Sequence, residues 1–97
     1  MEGRATISAE ILCSYAADAA REVPGVRDLV ESHLPRHRGV RVVEDERGIA
    51  VELHVALDWG TSAPETGRAL QRRVREYLLQ MADLDPREVN VVIASIG

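Results

Sequence analysis

Lysine and phenylalanine are missing from this 97-residue chain, and cysteine occurs once. With no Phe and only Trp59, Tyr15 and Tyr77 as aromatics, the interior has to be built from Val, Leu, Ile and Ala. A single cysteine, Cys13, excludes an internal disulfide, so the sequence makes no demand on an oxidising compartment. Long apolar runs are also missing: nothing approaches the ~18–20 residues needed to cross a bilayer. The opening residues MEGRATIS lack the apolar stretch of a secretion signal. These absences predict a cytoplasmic protein with no direct membrane insertion.

All twelve basic residues are arginine, against sixteen acids, for a net charge of −4. An excess of negative charge argues against general nucleic-acid binding, because a phosphate backbone selects for positive charge. Walker, GxGxxG, HExxH and GxSxG motifs are absent, and no cofactor is expected. The length predicts a single domain over residues 1–97, large enough to bury a core without staples.

The hydrophobic pattern reads as α+β. Residues 4–7 are a strand candidate, followed by Ser8 as a helix cap. Leu12, Ala16, Ala19 and Val23 then recur at helical spacing until Pro24-Gly25. Val26, Leu29, Val30 and Leu34 also have helical spacing, which predicts a short second helix within 26–38. Val40 to Glu44 reads as a strand, and Asp45-Glu46-Arg47-Gly48 as a turn with glycine at the position favouring positive φ. The next strand alternates: Val51, Leu53, Val55 and Leu57 on one face, Glu52, His54, Ala56 and Asp58 on the other. Trp59 is expected to continue the inward row. Ser62 with Glu65 fits a capping box, and Pro64 suits a first helical turn. That helix should bury Gly67, Leu70, Val74, Tyr77, Leu78 and Met81 and stop before Asp85-Pro86. Val89 to Ile96 closes the sheet. The order β-α-β-β-α-β predicts a four-stranded antiparallel sheet with two main helices on one face, a ferredoxin-like split βαβ.

Candidate chemistry is sparse. His33 and His37 have the spacing of a helical metal pair, but Pro35 lies between them and no third ligand is near. Glu52, His54 and Asp58 share the open strand face, where a small ligand or a regulatory contact is the alternative reading. Cys13 has no basic neighbour to activate it. The junction of residues 5–10 carries an acid and no glycine, unlike the anion loop of acylphosphatases. No enzyme is expected. The outer face of the second long helix is different: Arg68, Arg72 and Arg75 form a stripe with Leu79 at helical spacing, bordered by Glu65 and Glu76. Those four residues are the expected partner-binding surface.

Several short elements occur together in order: Ile7-Ser8 before a helix, Val23-Pro24-Gly25-Val26 after it, Gly39-Val40-Arg41-Val42, the Val51–Gly60 strand, Gln71 and Val74 in the helix, and Val89-Asn90-Val91. This arrangement resembles the alkaline-shock (envelope stress response) protein family. The resemblance implies a non-enzymatic interaction or scaffold protein at the cytoplasmic face of the bacterial cell membrane. It also implies attachment through a small membrane-anchored protein partner, together with self-association.

Overall fold

The computed structural model describes residues 7–31 and 39–97. Helix α1 (Ala9–Arg21) leads into strand β1 (Val26–Leu29), then β2 (Val40–Asp45), β3 (Gly48–Leu57), helix α2 (Ala63–Ala82) and β4 (Glu88–Ile96). The α+β, ferredoxin-like outline expected from the sequence is present, with four strands in one sheet and both helices packed on one face.

Local chemistry sets the helix ends. The Ser8 hydroxyl accepts from the Ile11 N–H at 3.3 Å and opens α1, supplying one of the partners that a first turn lacks. Ser62 does the same for Glu65 N–H at 3.4 Å and opens α2, as the capping pattern predicts. The far end of α2 closes on Asp83, which adopts the left-handed conformation at φ 52°. From there its N–H bonds Leu79 O, and Leu84 N–H reaches Leu78 O. These bonds satisfy the last carbonyls of the helix.

β3 is the spine of the sheet. β2 pairs antiparallel with its first half, from Asp45 opposite Gly48 to Val40 opposite Leu53. β1 pairs antiparallel with its second half, Leu29 opposite Val55 and Val26 opposite Leu57. The two strands therefore lie end to end along one edge of β3. Their junction is a pair of hydrogen bonds to one residue: Val30 N–H donates to His54 O, and His54 N–H donates to Gly39 O, both at 2.8 Å. Gly39 takes φ +86°, and a Cβ there would lie 2.6 Å from Val30 O, so only glycine lets the chain rejoin the edge so tightly.

Two expectations are corrected, and a third falls largely outside the described residues. The helix anticipated within 26–38 is strand β1 over Val26–Leu29, and residues 32–38 lie outside the described residues. Helical spacing loses here because the second half of β3 offers unpaired peptide groups, and pairing with them outweighs a weak local preference. The strand anticipated at 4–7 falls mostly outside the described residues, and Ile7 is not in a strand. Finally, β4 runs parallel to β3 along its other edge, Val51 opposite Val89 and Val55 opposite Ile93. Helix α2 carries the chain back along β3, so β4 enters beside Ala50, near the end where β3 began, and runs in the same direction.

The alternation read in β3 holds. Val51, Leu53, Val55 and Leu57 have no exposed surface, and they meet Leu70, Val74 and Leu78 of α2 and Ala16, Ala19 and Ala20 of α1. Burying each Val or Leu fully is worth about 1.5–3 kcal/mol, and the alanines of α1 allow that helix to lie close. Tyr15 and Tyr77 pack edge to face between the helices at 6.1 Å. Arg73 lies over Tyr77 and donates to Glu22 at 2.6 and 3.0 Å. One flank of α2 is thereby committed to α1.

Candidate functional site

The opposite flank of α2 faces β4, and two side chains establish the alignment. Gln71 Nε2 donates to Val89 O at 3.0 Å, and Arg75 Nη2 donates to Pro86 O at 3.4 Å. Helix numbers therefore fall as strand numbers rise, which carries Arg68 alongside the part of β4 beyond Val89. On this side of α2 lies a groove of about 500 Å³ lined by Arg68, Gln71, Arg72, Arg75, Glu76 and Leu79 of the helix and by Asp85 beyond its end. The four residues singled out by helical spacing, Arg68, Arg72, Arg75 and Leu79, all lie on it.

They are not equivalent. Arg75 is committed within the molecule, with Nε 3.5 Å from Asp85 Oδ1 in addition to its bond to Pro86. Arg87 is likewise held by Asp45 and Glu88. Among the described residues, Arg68 and Arg72 have no ion-pair partner within 4.0 Å. Leu79 is half exposed at 50%. The groove thus combines two uncommitted guanidinium groups with an apolar contact, on a chain whose net charge is −4. Guanidinium forks favour carboxylate and phosphate oxygens, which they can grip with two parallel N–H bonds.

Gln71, Glu76 and Asp85 belong to the same groove, although sequence reasoning did not assign them to a binding surface. Helical spacing carried the signal for two of them, since Gln71 lies three residues after Arg68 and Glu76 four after Arg72. For Asp85, which follows the helix, no pattern was available.

The other candidates separate. Glu52 and His54 meet on the open sheet face, with Oε2 and Nε2 2.9 Å apart, so these side chains satisfy each other. Asp58 does not join them. The strand ends at Leu57, and Asp58 turns away with its N–H bonded to Gly25 O. His33 and His37 lie outside the described residues. Among the described residues no group of three His, Cys, Asp or Glu side chains is placed to hold a metal.

Cys13 is buried with its thiol 3.7 Å from Val40 O. Burial pushes this thiol above its ordinary pKa, opposed by a backbone hydrogen bond and reinforced by Glu10. It is a core group held in its protonated form. Trp59 corrects the expected inward row: it sits in the turn after β3, 84% exposed. Met81, expected in the buried stripe of α2, is 45% exposed near the end of the helix.

No helix among the described residues is long and apolar enough to cross a membrane. A family model for alkaline-shock proteins, described as having a cell envelope-related function, matches residues 1–97. Solved structures of MamM CTD variants resemble the fold. One has a TM-score of 0.60 at 16% identity, covering 91% of this chain and 98% of that chain. A second scores 0.61 at 16% identity over 93% and 99%. A variant in its manganese form scores 0.57 at 16% identity over 89% and 96%. At such identities the likeness is one of fold alone.

Proposed function

The chain belongs to the alkaline-shock protein family, and from that premise we propose that it is a non-enzymatic interaction module of the cell envelope, holding an acidic segment of a membrane-anchored partner against α2. The observation that carries this reading is the convergence of Arg68, Arg72, Arg75 and Leu79 on one groove, with Arg68 and Arg72 uncommitted among the described residues. A carboxylate-rich segment would find two guanidinium groups and an apolar anchor there.

In this reading the protein works at the inner face of the membrane by attachment to its partner, and copies of it gather there by self-association. Partner contacts of the charge-assisted kind are worth about 1.5–3 kcal/mol each. Reversing both uncommitted charges, Arg68→Glu with Arg72→Glu, should therefore weaken capture of the membrane partner at least about tenfold. The check is affinity enrichment from detergent-solubilised membranes by wild type and variant side by side, with circular dichroism to verify the fold. Equal enrichment by a folded double variant refutes the proposed face.

A further inference from the structure

β4 has an outer edge that no described residue covers as a strand. Val89 O turns away from β3 to accept from Gln71. Peptide groups alternate along a strand, so those of Val91 and Ile93 face the same way, out of the sheet. Past Ile93 the register slips, with Ser95 rather than Ala94 opposite Ala56. The usable edge is therefore the stretch immediately beyond Gln71, which is where the alignment of α2 carries Arg68.

The two edges of the sheet are unlike each other. β2 carries Arg41, Glu44 and Asp45, all exposed, and such charges discourage pairing with another chain. β4 has no lysine, proline or arginine, and Glu88 at its start is its one charged residue. Val92 and Ile96 are exposed at 39% and 44%. An open strand edge supplies backbone hydrogen bonds to any extended segment, and flanking side chains select among the candidates.

We propose that the occupant of the groove is an extended acidic peptide segment that adds to β4 as a further strand, pairing with the Val91 and Ile93 peptide groups while its carboxylates reach Arg68 and Arg72. This rests on the reading of the α2 face as a docking surface and specifies how the partner binds. Charge complementarity selects an acidic segment over a neutral or basic one. The outward peptide groups select an extended backbone over a helix, whose own N–H and C=O groups are already paired.

The test uses the full chain and a synthetic dodecapeptide of alternating glutamate and valine. Titration is followed by fluorescence anisotropy and by the backbone amide signals of Val91 and Ile93. Two further peptides carry N-methyl groups on alternate backbone nitrogens, one on the odd set and the other on the even set. Binding should shift the Val91 and Ile93 amides and weaken at least tenfold in the Arg68→Glu/Arg72→Glu protein. It should be abolished by one methylated set and preserved with the other, because only one set faces the edge. Equal binding of both methylated peptides would overturn strand addition. So would failure of the parent peptide to bind, or charge-dependent uptake of phosphatidylglycerol vesicles in its place. In each of those cases the membrane capture comparison still reports independently on the docking face, so the two failures are distinguishable.

Discussion

Gly39 is the residue with the least freedom to change. It stands where β2 begins, at φ +86°, with Val30 O and N and His54 O all within 3.1 Å of where a Cβ would be. The contacts are backbone atoms of a paired edge, which cannot swing aside as a side chain can. Gly39→Ala adds positive-φ strain to that clash and should cost about 2 kcal/mol or more. A fall of about 10 °C in the thermal midpoint is the expected reading for a chain of this length. A midpoint unchanged in the alanine variant would mean that the junction at His54 is not closed in solution. The sequence placed a glycine at this boundary, but the close approach of residue 30 could not be read there, because it depends on a pairing across the sheet.

At the scale of elements, caps and alternation were legible and pairing was not. Ser62, Glu65 and Pro64 located the start of α2 because helix entry is decided by neighbours within one turn. The odd row of β3 was legible because a strand buried on one face must alternate. Ser62→Ala removes the hydroxyl that accepts from Glu65 N–H and should cost about 1 kcal/mol, read as a shift of about 5 °C in the midpoint. The groove should keep its shape in that variant, since Leu70, Val74 and Leu78 continue to hold the helix on the core. Normal stability would show that α2 is held by packing alone. What escaped the sequence was β1: Val26 and Leu29, read at helical spacing, lie in a strand because β3 is ten residues long and β2 covers only part of it. Trp59 was misread for a related reason. Its inward phase assumed two more residues of strand, whereas the strand ends at Leu57.

For the whole molecule, the sheet has a committed side and an available side. α1 occupies one flank of α2 through Arg73, Glu22, Tyr15 and Tyr77, which leaves the grooved flank on the side where Gln71 and Arg75 reach toward β4. The stripe of Arg68, Arg72, Arg75 and Leu79 was visible from helical spacing, but its setting beside a strand edge was not. That setting follows from the parallel pairing of β4, a relation between elements some forty residues apart. The arginines also fall into groups that no periodicity distinguishes, with Arg73 and Arg75 spent on internal contacts and Arg68 and Arg72 without an ion-pair partner among the described residues.

The junction at His54 makes residues 31–38 a natural point of insertion. Both anchors, Val30 and Gly39, are tied to the same residue, so the sheet registers where the chain leaves and returns but not how many residues intervene. Loop-closure entropy rises slowly with length, by about 0.6 kcal/mol for each doubling. Lengthening the connection between Val30 and Gly39 by about seven glycine and serine residues should therefore lower stability by about that amount, measurable by urea unfolding. A loss of several kcal/mol would mean that the native segment contributes contacts of its own. If the small cost is found, a reporter peptide or a second binding module could be spliced in at this position without disturbing the arginine groove. Relatives of this chain would be free to differ in length there while sharing the same sheet.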